Sequence, residues 1–204
     1  MARLALNKSS LSRQQSQLKT FERFLPSLDL KRRQLLAERN KARIALQRTR
    51  EAIAQFTVDV GERLPMLSNN EIALRGLVRL SGVNLTEENI VGTRLPVLAG
   101  IAVEVRAYPL MARPHWVDAV VRELRVVLEL RVRAQVEERR LALLEAAVKT
   151  ITQRVNLFEK VLIPRARRNI KHIRIYLSDA ERAGVVNSKI AKRKRAAESK
   201  EREG

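Results

Sequence analysis

Residues 18–60 read LKTFERFLPSLDLKRRQLLAERNKARIALQRTREAIAQFTVDV, a stretch with a regular apolar pattern. Its apolar side chains recur at alternating spacings of three and four residues, and ten of the thirteen positions on the resulting stripe are apolar. The stripe consists of Leu18, Phe21, Leu25, Leu28, Arg32, Leu35, Arg39, Ala42, Leu46, Thr49, Ile53, Phe56 and Val60. A repeat of 3.5 residues over about six heptads is typical of a left-handed coiled coil. The sequence therefore predicts a long helix whose stripe must pack against a second helix.

Two arginines, Arg32 and Arg39, interrupt this stripe. One interpretation is a small error of phase, in which Leu36 takes the place of Leu35. The other is a polar device that fixes the register of the helices or lets them part. We favour the first. The helix is expected to begin after the polar cluster Asn7–Ser10, because any of these side chains could cap its first turn.

A second stripe with the same spacing predicts a second helix from about Pro114 to Leu177. Its positions are Leu141, Leu144, Val148, Ile151, Val155, Phe158, Leu162, Ile170, Ile173 and Leu177. Folding back in antiparallel fashion would bury both stripes, although a parallel homodimer could also bury them. Pro26 and Pro164 fall inside the helical patterns, and each is expected to kink or locally interrupt its helix because proline lacks the backbone donor.

The residues between the helices differ in kind. Residues 61–115 hold five of the seven glycines and four of the six prolines. Apolar and polar side chains alternate from Val103 to Tyr108, which is the period of a strand. We therefore expect a short β-hairpin within Ile90–Tyr108, with its turn at Leu98–Gly100.

Together these patterns predict a mainly α fold, namely a long antiparallel two-helix left-handed coiled coil with a small β-hairpin-containing head between the helices. The predicted segments are an N-terminal coiled-coil helix (1–62), a head (63–115), a C-terminal coiled-coil helix (116–178) and a basic tail (179–204). The tail is expected to be either a helical extension or disordered.

Positive charge is concentrated at both ends of the chain. The net charge is +19; residues 1–50 hold 13 Lys and Arg against 3 Asp and Glu, and residues 165–204 hold 13 against 5. An antiparallel fold would bring these two ends together. Such a field attracts an acidic protein, nucleic acid or a lipid surface.

Catalytic and cofactor chemistry finds little support in the sequence. The chain has no cysteine and only two histidines, His115 and His172, and neither has a partner at metal-ligand spacing. No glycine-rich phosphate loop is present, and the longest apolar run is about half of a membrane span. We therefore expect a non-enzymatic protein without cofactor, metal or direct membrane insertion.

Several segments resemble the D subunits of V-type/A-type (rotary) ATPases, in their bacterial form. In the first helix the similarity lies in FERFLPSLDLKRR at residues 21–33. In the second it lies in RVNLFE at 154–159 with Leu162–Pro164, IKHIR at 170–174 and DAER at 179–182. The ending KIAKRK at 189–194 also fits, and the resemblance covers nearly the whole chain.

This resemblance implies a non-catalytic central rotor shaft, the central stalk of the complex. In the family, both termini of the coiled coil enter a hexamer of catalytic A and B subunits, which bind and hydrolyse ATP. The head and lower stalk engage the F subunit and the membrane-ring adaptor, which is the C or d subunit. Rotation of the shaft couples ATP hydrolysis or synthesis to ion translocation, proton transport included, at the cytoplasmic face of the membrane.

The basic residues near the two ends are the candidate contacts with the hexamer: Lys8, Arg13, Lys189, Lys192 and Arg193. Two other functions compete with this one. A basic coiled coil could bind nucleic acid, but the aromatic platforms that stack on single strands are missing and no recognition helix stands out, so nucleic acid is the less favoured partner. A scaffold with a basic tail is the other alternative.

Overall fold

The computed structural model describes residues 4–68, 74–109 and 114–202, without the side chains of Ser68 and of residues 196–202. Helix α1 spans Lys8–Arg63, and a short 3-10 helix follows at Pro65–Ser68. The strands β1 (Val78–Ile90) and β2 (Thr93–Val105) form an antiparallel hairpin. Helix α2 covers Trp116–Asn156, a π-helical turn covers Leu157–Leu162, and helix α3 covers Ile163–Arg202. The mainly α fold class with a hairpin between helices is thus confirmed.

These elements form two compact units. The terminal unit comprises residues 1–30 and 152–204, and the central unit comprises residues 31–151 with the hairpin. The units cut across the four segments expected from the sequence, so that division stays a prediction. After residue 178 the chain is helical through Arg202.

The start of α1 is fixed by a capping side chain. The backbone N–H of Ser10 donates to Oδ1 of Asn7 at 2.7 Å, and the helix begins at the next residue, Lys8. A side-chain oxygen in this position satisfies one of the donors that the first helical turn leaves free. The expected cap is therefore confirmed, and the residue that supplies it is Asn7.

In the terminal unit, α1 and α3 run antiparallel. Asn169 donates to Gln14 at 3.2 Å, and Arg167 Nη2 lies 2.8 Å from a carboxylate oxygen of Glu22. Between the helices, the buried residues of this unit are Val155, Ile163, Ala166, Ile170 and Ile173. Full burial of such a side chain contributes about 1.5–3 kcal/mol, whereas an exposed ion pair such as Arg167–Glu22 contributes about 0–1 kcal/mol. The apolar seam therefore contributes most of the stability of this unit.

The central unit repeats this antiparallel arrangement with α1 and α2. Arg50 pairs with Glu138 at 2.7 Å, and Arg63 pairs with Glu123 at 3.2 Å. The buried residues of α1 are Leu35, Ala42, Leu46 and Thr49, which all lie on the stripe expected from the sequence.

The favoured interpretation of Arg32 and Arg39 is wrong. Leu35 is 4 % exposed, whereas Leu36 is only partly buried, so the phase of the stripe is correct. Both arginines are partly buried. The long aliphatic stem of an arginine can cover an apolar seam while its charged head stays in water. The residue pattern alone does not distinguish such an arginine from a shift of register.

The hairpin is longer than expected and turns at a different place. Ile90 pairs with Thr93, so the turn is Val91–Gly92, while Leu98–Gly100 lies inside β2; the expected turn is wrong. Both turn residues have positive φ (54° and 84°), and the N–H of Gly92 donates to Asn89 Oδ1 at 3.0 Å. Two-residue turns of this kind suit the twist of a hairpin and usually carry asparagine or glycine at their first position. A valine with positive φ is unusual, so the sequence does not show the turn.

A small apolar core lies at the base of the hairpin. Leu77, Val117 and Val121 are buried together, with Tyr108 and Trp116 packed against them. The hydroxyl of Tyr108 donates to Asp118 at 2.6 Å, and Arg106 N–H donates to the Leu77 carbonyl. Farther along the hairpin, Arg140 of α2 pairs with Glu88 of β1 at 2.7 Å. These contacts fasten the hairpin to α2 within the central unit.

The two helical prolines behave differently. Helix α1 continues without interruption through Pro26. Directly before Pro164, by contrast, the α-helical pattern gives way to the π turn Leu157–Leu162, in which the N–H of Ile163 donates to the carbonyl of Phe158, five residues earlier. Sequence reasoning predicted a disturbance here but not its form.

A matched pair of isoleucines in α3 tests the seam. Ile173 is fully buried and Ile175 is 51 % exposed. We expect Ile173→Ala to lower the free energy of unfolding by about 2–5 kcal/mol, because it leaves a cavity in the seam. Ile175→Ala should change it by less than about 0.5 kcal/mol, as measured by urea denaturation. Equal effects of the two substitutions would contradict the described packing.

The turn of the hairpin offers a stabilising substitution. Val91→Asn should raise the stability of the hairpin by roughly 1 kcal/mol, because asparagine tolerates positive φ far better than a β-branched residue. Amide hydrogen exchange across β1 and β2 measures the effect. Leu85→Asn, at an exposed strand position of the same hairpin, is the control and should give no gain. Equal protection in both variants would exclude strain at Val91.

Candidate partner-binding surface

Lys8 is the first residue of α1 and lies against α3. Its Nζ is 3.7 Å from a carboxylate oxygen of Glu181, and the two side chains are 82 % and 70 % exposed. An ion pair this exposed contributes little, about 0–1 kcal/mol. The contact therefore marks where α1 begins beside α3 without holding it there, and it leaves the ammonium group accessible to a partner.

Arg13 lies one turn and a half farther along α1, also exposed. It borders a groove of about 660 Å³ between α1 and α3, together with Gln17, Phe21 and Arg165. At the end of this groove the ring of Phe158 meets the ring of Phe21 edge-on, with centroids 5.5 Å apart. The groove thus combines an apolar floor with two guanidinium groups.

Lys189, Lys192 and Arg193 lie on the later part of α3. All residues from Ser178 to Arg195 are exposed, so no other described part of the chain covers this stretch of helix. Lys189 follows Glu181, the partner of Lys8, by eight residues, which is roughly 12 Å along a helix. The structure therefore places Lys8 beside α3 but leaves Lys189, Lys192 and Arg193 beyond the start of α1.

Sequence reasoning missed the apolar side chains on this exposed helix. Val185 is 56 %, Val186 53 % and Ile190 49 % exposed, among the basic residues. The sequence does contain a signal for them. The apolar stripe of the second helix ends at Leu177, and these later apolar residues fall at positions that do not continue it. A helix with exposed apolar and basic side chains is suited to a partner that supplies both apolar and acidic groups.

The charge of the terminal unit supports the same preference. Its residues include twenty Lys and Arg against eight Asp and Glu, a net charge of +12. The larger central unit carries the remaining +7. Positive potential is therefore densest on the unit that contains all five candidate contact residues.

Other kinds of site have no candidate within the described ranges. In residues 4–68, 74–109 and 114–202, no group of three or more His, Cys, Asp or Glu could hold a metal ion. Across the same ranges, the helices lack a segment with the length and hydrophobicity to cross a membrane.

Comparison with known proteins gives one consistent result. The family model for the D subunit of ATP synthase matches residues 10–193. The D subunit of the V-type ATP synthase of Borreliella burgdorferi is 36 % identical over 199 residues, which cover 94 % of this chain and 95 % of that protein. The protein of the same name from Chlamydia caviae is 30 % identical over 200 residues, covering 95 % and 94 %. That from Chlamydia felis is 31 % identical over 200 residues, with the same coverage.

The exposure of the C-terminal helix leads to a test by truncation. Ending the chain after Leu177 removes exposed described side chains and the exposed ion pairs Lys8–Glu181 and Arg182–Asp179. The thermal unfolding midpoint should therefore shift by no more than about 2 °C. Ending it after Lys160, which also removes the buried Ile163, Ala166, Ile170 and Ile173, is the control and should unfold the terminal unit. A large loss of stability in the first truncation would mean that the exposed helix packs onto the protein.

Proposed function

Because the chain belongs to the family of ATP synthase D subunits, we propose that it is the central rotor shaft of a V-type or A-type ATPase. The shaft couples ATP hydrolysis or synthesis in a hexamer of catalytic A and B subunits to ion translocation through the membrane sector. The observation that carries this proposal is the family match over residues 10–193, which spans both helices and the hairpin. The shaft itself is non-catalytic.

The terminal unit is the part that enters the hexamer. Its positive charge and its exposed helix suit a cavity lined by acidic side chains and backbone carbonyls. Contacts of this kind are spread over a surface and have no single deep pocket. A shaft that turns past three similar catalytic sites needs such contacts, because a deep anchor would hold it in one orientation.

The central unit is the part that meets the F subunit and the membrane-ring adaptor, the C or d subunit. Antiparallel helices closed by an apolar seam resist bending and slipping, as a shaft under torque requires. The hairpin, fastened to α2 through the Leu77 core and the Arg140–Glu88 pair, adds a rigid projection for these partners. The assembled protein is peripheral, at the cytoplasmic face of the membrane.

Charge neutralisation tests the contact with the hexamer. The variant Lys8→Gln, Arg13→Gln, Lys189→Gln, Lys192→Gln and Arg193→Gln should bind a purified A/B hexamer more weakly, with the largest loss at raised salt, because screening weakens the remaining charge interactions. Gel filtration of the complex and its ATPase activity with the F subunit give the readout. Unchanged assembly at raised salt would count against these residues as contacts.

Five exposed arginines of the central unit provide a control with the same change of charge. They are Arg75, Arg79, Arg94, Arg106 and Arg131. Their replacement by Gln should leave binding to the hexamer unchanged, since the proposal assigns that contact to the terminal unit. Equal weakening by both variants would indicate a long-range effect of net charge.

Failure of the unaltered chain to bind the hexamer, together with salt-dependent binding to DNA, would favour the nucleic-acid alternative.

A further inference from the structure

The buried stripe of the second helix changes phase by one residue. From Leu141 to the end of α2 at Asn156, the buried positions are Leu144, Val148, Ile151 and Val155. Steps of seven from these residues lead to positions 162, 165, 169 and 172. The buried positions in α3 are instead Ile163, Ala166, Ile170 and Ile173, each one residue later. One extra residue is therefore accommodated between Val155 and Ile163.

The π turn is where this extra residue is absorbed. A hydrogen bond from Ile163 N–H to the carbonyl five residues earlier encloses one residue more than the α-helical bond does. The helix thus keeps the seam facing its partner on both sides of the turn. Without the wider turn, one residue advances a helix by about 100°, so the seam of α3 would face away from α1.

The sequence confines the extra residue to this turn. The phase of α2 continues with apolar side chains at Phe158 and Leu162 but would next bury the polar Arg165. The phase of α3, followed backwards, would bury Glu159 and Asn156. The change from one phase to the other must therefore fall between Glu159 and Arg165, because burial of a charge without a partner is strongly unfavourable.

A proline by itself does not widen a helical turn in this chain. Pro26 lies inside α1, where the α-helical pattern continues. The two prolines differ because only Pro164 follows the one-residue change of phase in the buried positions. Pro164 does remove one backbone donor directly after the π turn. The helix therefore lacks a hydrogen bond at the same place where its hydrogen-bond pattern changes.

The turn is also poorly supported by packing. It contains no buried residue, and Leu157 and Val161 on its outer face are 46 % and 48 % exposed. On the inner side, Phe158 touches the ring of Phe21. Few buried contacts and weakened hydrogen bonds are the features of a segment that opens locally at low free energy.

We propose that the π turn Leu157–Leu162 is a torsional joint: a place where the helix segments on its two sides rotate relative to each other about the helix axis more easily than elsewhere in the second helix. The joint is a property of the chain itself and goes beyond the proposed function. In a rotor shaft it would take up twist between the driven and the loaded ends.

Deletion of Glu159 isolates the joint. Glu159 is exposed, and its removal brings the stripe of α3 into the same seven-residue phase as that of α2, so the turn should close into an α-helix with every seam residue in place. This variant should unfold at the same or a higher temperature than the full chain. Deletion of the exposed Lys149 is the control and should lower the midpoint, because it moves Ile151 and Val155 out of the seam.

Amide hydrogen exchange on the full-length chain is the test. In the unaltered protein, amides 158–163 should exchange at least about tenfold faster than those of residues 148–155 and 166–173; deletion of Glu159 should remove the difference. Pro164→Ala should leave the fast exchange in place, since the extra residue remains. Uniform exchange in the unaltered protein, or slow exchange in Pro164→Ala, would overturn the proposal.

Spin labels report the rotation itself. The chain lacks cysteine, so labels can be placed at Gln153→Cys and Lys171→Cys, on opposite sides of the turn. The distance distribution between them should be broader in the unaltered background than after deletion of Glu159. Labels at Ser12→Cys and Leu30→Cys, equally far apart in α1 and on either side of Pro26, should give a narrow distribution. Equal widths for all three would contradict a joint. None of these measurements involves the hexamer, so they fail or succeed independently of the proposed function.

Discussion

Each compact unit is held together mainly by the burial of an apolar seam between antiparallel helices. A helix with an apolar stripe every 3.5 residues is unstable in water unless a second helix covers it, because few other contacts are available in a chain with 3 % aromatic residues. In each compact unit the cover is an antiparallel helix, and the fully buried Leu144 and Ile173 belong to the stripe. The ion pairs between the helices are largely exposed and therefore add little to stability.

Much of this could be predicted from the sequence, because periodicity reports directly which residues a helix buries. Leu35, Ala42, Leu46, Leu144 and Ile173 were all expected on the seam and are buried there. The turn of the hairpin could not be placed, since Val91 is a residue type that normally avoids positive φ. The π turn was missed for another reason: Phe158 and Leu162 continue the earlier phase, which conceals the slip until Ile163.

The candidate surface was less predictable than the fold. Charge counts located the basic ends correctly, yet they could not tell that Lys8 lies beside Glu181 while Lys189 lies on a helix with no cover in the described chain. Nor do charge counts reveal the exposed Val185, Val186 and Ile190, because these side chains are uncharged. Under the proposed function, both kinds of side chain face the hexamer of A and B subunits.

The most direct test of a rotor shaft is to watch it turn. The absence of cysteine allows a single probe at Leu85→Cys, an exposed position on the hairpin. The labelled chain and the F subunit would be assembled with a surface-immobilised A/B hexamer, and the probe followed by single-molecule microscopy after addition of ATP. A rotor shaft should show continuous rotation in one direction that stops when ATP is removed. A probe that stays still on a hexamer with the chain bound and ATP being hydrolysed would contradict it.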